Sequence, residues 1–309
     1  MTDLKRTPAA AWPLIAHFAA REQRLGVWAS RRRWTLALYE FVRFGIKQAW
    51  ACLFGGAMVA LLLATHLWYP HEALLARYDF LFLSAVAIQI TMLATKLETF
   101  EEAKVIFAYH VVGTIMELFK TDVGSWTYPE ASVFRIGGVP LFSGFMYAAI
   151  GSYIARCWRL FDFRFVGHPA MLLLSALAIA IYANFYTHHM MPDMRLVLFA
   201  ATAFLFRRTW IHYRIWQVHR RMPLLLGLFL VALFVWIAEN VGTLTTTWIY
   251  PHQAHAWTLV KFGKLGSWFL LLIVSYTLVA AVHGVRRVRG GSPDKSPVTD
   301  GAPVPDSRA

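Results

Sequence analysis

Charge is scarce in this sequence. Only 15% of its 309 residues are Asp, Glu, Lys or Arg, where a soluble domain of this size carries about 25%. Acid is scarcer still, with 17 Asp and Glu against 30 Lys and Arg. There are two cysteines, Cys52 and Cys157; they fall inside or at the edge of apolar runs, so no disulfide is implied. The chain has no set of histidine boxes, no Walker loop, no G-x-S-x-G elbow and no acidic run suited to Mg²⁺-phosphate chemistry. These absences exclude a disordered or fibrous chain and an ordinary cytosolic enzyme. They leave nucleotide and nicotinamide cofactors without support, and the cofactor open. A net charge of +13 can mark a nucleic-acid binder. Here the basic residues lie in short groups between hydrophobic stretches, so no nucleic-acid partner is expected.

What is abundant is apolar sequence, at 58% hydrophobic residues. A helix crossing the ~30 Å hydrocarbon layer needs ~20 mostly apolar residues. Eight runs are candidates: 48–67, 80–95, 105–119, 136–155, 169–187, 194–210, 222–243 and 259–283. The sixth is the weakest, because Arg195 and Arg207 leave little uncharged sequence between them. The third carries Glu117 and Lys120 near one end. With the N-terminus placed in the cytoplasm, alternation puts 24 basic residues inside and 4 outside. A miscounted helix would invert every later loop and destroy that bias. The expected fold is an all-α polytopic membrane protein of eight transmembrane helices, both termini cytoplasmic, in a bacterial inner membrane.

The organisation expected is a basic cytoplasmic arm over 1–40, four-helix units over 41–160 and 161–284, and a disordered tail over 285–309. The arm has no cleavage site after a central apolar run, unlike a secretory signal. Glu40, Arg43 and Lys47 recur at helical spacing while Phe41, Phe44 and Trp50 face elsewhere, the pattern of an amphipathic helix at the inner surface. Thr99 and Glu102 form a T-x-x-E capping box opening the third helix, which makes Glu98, Glu101 and Glu102 structural. Membrane lipids are the expected partners, with anionic lipids at the basic inner face.

The division into two halves rests on an internal duplication. Glu117, Trp126, Tyr128 and Pro129 match Glu239, Trp248, Tyr250 and Pro251 in the spacing E-x8-W-x-Y-P, at an offset of 122 residues. The same offset carries Thr65, His66 and Pro70 onto Thr187, His188 and Pro192. A shift of four spans preserves membrane orientation. The halves are therefore expected to be parallel repeats about a pseudo-two-fold along the membrane normal, with a site at their interface. The duplication alone does not imply transport.

This arrangement would bring two His–Glu sets to one depth on the outer side. His110, Gly113 and Glu117 share a helix face, the glycine allowing a neighbour to approach closely. Three readings of the cluster stay open. It is a structural network in which the glutamates accept hydrogen bonds from Trp, Tyr, Lys261 or Lys264. It is an acid/base site on a lipid, with Glu117, Glu239 and His110 as catalytic groups and Trp126, Tyr128, Trp248 and Tyr250 contacting the substrate. Or His66, His188 and His189 ligate a metal with the carboxylates. Other tryptophans read as interfacial belts, and Gly138, Val139 and Pro140 as the restart of the fourth helix.

With these residues in view, the chain resembles the YoaT-like domain-of-unknown-function family of bacterial integral membrane proteins. The resemblance runs from about residue 40 to 281 and is carried by FGIKQAW at 44–50, HVVGTIMELFKT at 110–121 and GGVPLFSGFMYAAIGSYIAR at 137–156. It implies a membrane fold and brings no activity. A shorter stretch is similar to membrane carotenoid-biosynthesis hydratases, through Glu117, Gly124, Trp126, Tyr128, Val139 and Pro140. The second half keeps Glu239, Trp248 and Tyr250 but lacks the glycine and the Val-Pro. That similarity implies Glu117 as proton donor to an isoprenoid double bond, tuned by His110. The function expected is hydration or isomerisation of a lipid or isoprenoid, the alternatives being a small-solute transporter and a non-enzymatic assembly protein.

Overall fold

The computed structural model of the chain describes residues 24–70 and 72–287. The basic arm before residue 24, the tail after 287 and the Glu101 side chain lie outside the described residues. The chain forms two compact units that divide after Trp50. The first carries helix α1 (Arg33–Ala51), along which Phe41, Ile46 and Trp50 are exposed while Glu40 is buried.

Among the described residues the second unit holds eight α-helices, one in each predicted apolar run: α2 (Leu53–Trp68), α3 (Arg77–Ala94), α4 (Phe100–Asp122), α5 (Phe142–Phe161), α6 (Met171–Thr187), α7 (Arg195–Phe206), α8 (Leu224–Leu244) and α9 (Gly263–His283). Three of these, α3, α8 and α9, are long and apolar enough to cross a membrane by themselves. A fourth span is reached if α1 and α2 count as one broken span. Helix α4 opens as its sequence dictates: Thr99 accepts from the Glu102 N–H, and the Glu102 carboxylate accepts from the Thr99 N–H at 2.8 Å.

Helix α7 is shorter than expected, and an entirely α-helical fold is not what forms. α7 has 12 residues, roughly 18 Å at 1.5 Å per residue. The Thr209 hydroxyl donates to the Gly167 carbonyl at 2.9 Å, and Trp210 then opens a strand. Five short strands occupy the connections: β1 (Arg135–Ile136), β2 (Val139–Pro140), β3 (Arg164–Val166), β4 (Trp210–Arg214) and β5 (His219–Pro223). β3, β4 and β5 form an antiparallel sheet in that order. β1 and β2 form a hairpin around Gly137, whose φ of +57° favours glycine. Pro140 therefore belongs to this hairpin, and α5 starts at Phe142 instead of at the Gly-Val-Pro.

Within this unit α4 packs along α5 and α8 along α9; α5 also meets α9, α2 meets α5, and α6 meets α9. Ala148, Ala155 and Ala232 are fully buried among these helices, small residues that let helix backbones come close. A second core gathers Phe165, Leu174, Ile181, Phe206, Ile273 and Tyr276, joining the sheet to α6, α7 and α9. At the end of α5, Asp162 adopts φ +46° and pairs with Arg286 at 3.1 Å and with Arg164 and His219 at 3.3 Å.

Candidate functional site

At the C-terminal ends of α4 and α8 the chain turns back over each helix. The Trp126 indole and the Tyr128 hydroxyl donate to Glu117 Oε2 at 2.8 and 2.7 Å. The Tyr147 hydroxyl, from α5, donates to Oε1 at 2.7 Å. Glu117 is buried and both of its oxygens are occupied by aromatic donors. Glu239, also buried, accepts from the Tyr250 hydroxyl and the Trp268 indole. Burial and the neighbouring carboxylates push the Tyr128 and Tyr250 phenols well above their ordinary range, so both donate as neutral groups.

The two glutamates belong to one cluster. Trp126 meets Tyr250 edge to face at 6.0 Å, and Tyr147 meets Trp268 at 6.1 Å. The Lys264 ammonium sits 4.8 Å from the Trp126 ring centre and 4.4 Å from that of Tyr250, a cation–π arrangement. It feels the charge of both Glu239 and Glu117. The turns are pinned to each other: Thr127 and Ile249 exchange backbone hydrogen bonds at 3.0 and 2.9 Å.

Surrounding contacts fix this geometry. The buried Asp79 carboxylate accepts from the backbone N–H groups of Val133 and Phe134. Arg77 pairs with Glu130 and donates to the Thr247 hydroxyl at 3.0 Å. The Tyr78 hydroxyl donates to the Thr247 carbonyl at 2.7 Å. Asn240 Oδ1 accepts from the Val260 N–H at 2.9 Å, holding the segment that leads to Lys264. Gly113 of α4 faces Tyr147 so closely that a Cβ would lie 2.6 Å from its ring.

Not every expected residue joins the cluster. Trp248 makes no hydrogen bond to Glu239 equivalent to that of Trp126; its ring packs on Gly242 and against the core of Leu62, Leu81 and Phe142. Trp268 takes the indole's place at Glu239. His110 lies on the same face of α4 but meets the Phe145 ring at a tilt, centres 4.7 Å apart, and no hydrogen bond links it to Glu117. His66 is exposed at the end of α2. His188 and His189 sit side by side, ring centres 4.1 Å apart, with their Nε2 atoms 3.4 and 3.0 Å from the Lys120 ammonium. Among the described residues, no group of three His, Cys, Asp or Glu is placed to hold a metal ion, and the ammonium beside these imidazoles opposes a second cation. Tyr147 and Trp268 escaped sequence reasoning because they come from other helices and carry no spacing signal.

Apolar helices of spanning length around a buried, paired-carboxylate cluster define a helical, membrane-associated protein. The chain belongs to the family described as protein of unknown function (DUF817), whose model matches residues 40–276. It is 42% identical over 260 residues to the uncharacterized protein YoaT of Bacillus subtilis (strain 168), a match covering 84% of this chain and 97% of that protein. No solved structure matches the chain.

Proposed function

We propose that this is a multi-pass protein of the bacterial cytoplasmic membrane whose paired-glutamate cluster is an acid–base site for a lipid or isoprenoid. In this reading α2–α9 form two parallel four-helix repeats with both termini in the cytoplasm, and the cluster lies on the outer side. The charge bias of 24 to 4 supports that orientation. The repeat is supported by the shared offset of the two E-x8-W-x-Y-P elements and by the equivalent bonds of Tyr128 to Glu117 and Tyr250 to Glu239. The Leu224 N–H bonds the Thr209 carbonyl, so the inner ends of α7 and α8 are level and α7 stops short on the outer side.

The observation carrying the acid–base reading is the placement of two buried carboxylates and one ammonium among Trp126, Tyr128, Tyr147, Tyr250 and Trp268. In an isomerisation, one carboxyl gives a proton to a double-bond carbon and the other takes one from the carbon beside the cation. In a hydration, water adds to the cation and the second proton comes from that water. The aromatic faces of the cluster suit a transient carbocation, with the two carboxylates offsetting the repulsion of the Lys264 ammonium. Three donors aimed at Glu117 fit it as the accepting base, which gives Glu239 the donor role and reverses the assignment that the hydratase similarity implies.

A second reading is favoured by one observation: both Glu117 oxygens are filled by protein donors, as in a structural tie. Lipid extracts of host membranes carrying E117Q or E239Q separate the two. The acid–base reading expects a substrate lipid to accumulate in both variants at unchanged levels of inserted protein. An unchanged lipid profile with lowered thermal stability leaves the structural tie.

A further inference from the structure

We propose that Lys120, His188 and His189 form a binding site for a phosphate group. Lys120 lies in the last turn of α4 and its side chain is buried, 4% exposed. Its ammonium is hydrogen-bonded to the Nε2 atoms of His189 at 3.0 Å and His188 at 3.4 Å. The rings of Phe119 and Phe185 lie 5.9 and 5.6 Å away. Among the described residues no carboxylate forms an ion pair with it. Imidazole nitrogens satisfy the ammonium's hydrogens but do not balance its charge, and a buried ion left uncompensated costs several kcal/mol.

The surroundings make the imbalance larger. Arg195 and Lys264 repel the Lys120 charge, and Asp193 is the acid that attracts it. Asp193 is itself committed: its carboxylate pairs with Arg195 at 2.5 Å and accepts from the Arg195 N–H at 3.0 Å and from Asn184 at 3.4 Å. His188 Nδ1 donates to the Asn184 carbonyl at 2.8 Å, so its Nε2 accepts from Lys120. An oxyanion here would meet the Lys120 ammonium from α4 and, once their Nε2 atoms carry hydrogens instead of accepting from it, the two imidazoles at the end of α6. The number and convergence of these three nitrogens match the oxygens of a phosphate. His189 is exposed and His188 half-buried, so a ligand can arrive from the loop side. The same ammonium disfavours the metal that the histidines suggested from sequence.

Glu117 precedes Lys120 by three residues, one turn along the same helix. A lipid whose phosphate rests on Lys120 would carry its apolar body toward the aromatic cluster. That link to turnover rests on the acid–base reading; the phosphate site does not.

The test uses the full-length protein in phosphatidylcholine nanodiscs, followed by thermal unfolding through tryptophan fluorescence. In one arm inorganic phosphate is titrated against chloride at matched ionic strength. In the other, the nanodiscs contain equal parts of phosphatidylcholine and phosphatidic acid. Wild type should be stabilised by the phosphate-bearing probe. K120M and the H188Q/H189Q double variant should bind it at least ~10-fold more weakly, the loss expected for a charge-assisted hydrogen bond. Stabilisation by both probes assigns the site to free phosphate, and by phosphatidic acid alone to a lipid headgroup. H189Q alters an exposed side chain and keeps the test usable if K120M does not fold. E117Q should retain the effect even where its lipid profile argues against acid–base chemistry. No stabilisation of wild type, or equal stabilisation of wild type and variants, overturns the proposal.

Discussion

Thr127 and Ile249 are hydrogen-bonded to each other through both of their backbone N–H and C=O groups. They stand 122 positions apart, the offset that relates the two E-x8-W-x-Y-P elements. In a two-fold arrangement, the place where a residue meets its own counterpart is the axis. On the repeat reading, the axis therefore passes between the turns that cover Glu117 and Glu239.

The bridge uses only backbone atoms, so its loss can be separated from side-chain effects. Thr127→Pro removes one N–H and leaves the Ile249 carbonyl without its donor, at a cost of about 1–3 kcal/mol. Thr127→Ala keeps both bonds at an exposed position and should stay within about 0.5 kcal/mol of wild type. Thermal unfolding in detergent checks the contrast. Equal midpoints for the two variants would deny the bridge any role.

Gly113 marks a point of close approach in the sequence, and Tyr147 is the residue that approaches. Gly113→Ala should cost about 1–3 kcal/mol by overpacking and push Tyr147 off Glu117. Adding Tyr147→Phe to Gly113→Ala should then cost less than Tyr147→Phe costs alone. Additive losses in that double-mutant cycle would show that the glycine does not position the tyrosine.

Hydrogen bonds to a charged acceptor are worth about 1.5–3 kcal/mol each. Tyr147→Phe and Tyr250→Phe should each destabilise the protein on that scale, with little further loss when Glu117→Gln accompanies the first or Glu239→Gln the second. Phenylalanine variants as stable as wild type, by urea or thermal unfolding, would mean that the carboxylates do not depend on these donors.

A pH effect is expected at the opposite end of α5. Burial alone would raise the Asp162 carboxyl, but Arg164, Arg214 and His219 outweigh it and hold the group below its usual range. A carboxyl depressed in the folded state stabilises above its unfolded value, and that contribution disappears as pH falls through the folded one. Wild type should therefore lose stability on acidification below the ordinary Asp range in a phase missing from Asp162→Asn. Identical acid profiles for the two proteins would remove Asp162 from the account.

Much of this arrangement was legible in the sequence, for local reasons. The Thr99–Glu102 box is a four-residue pattern and forms as written. The glutamate-to-tyrosine spacing holds in both turns, because a chain that doubles back over a helix end returns about ten residues later. Long apolar runs located all eight helices of the second unit. What depended on distant partners was not legible. Strand β3 pairs with β4 across more than forty residues that include α6 and α7, and no alternation in so short a stretch announces that. Trp126 and Trp248 have the same spacing but different fates, because Gly242 offers the second ring a surface to pack on. The sequence pairs His188 with His189 as candidate metal ligands but gives no sign of Lys120, which reaches them from another helix.

The most direct test of the shared cluster is a disulfide across the bridge. Facing residues that exchange hydrogen bonds have Cα atoms about 5.5 Å apart, a separation that a disulfide spans. In a background with Cys52 and Cys157 replaced by alanine, T127C/I249C should oxidise within one chain. Mass spectrometry should then find the peptides around 127 and 249 linked, at a yield independent of protein concentration. Free thiols after oxidation, or links only between separate molecules, would contradict the meeting of the two turns and of the glutamates beneath them.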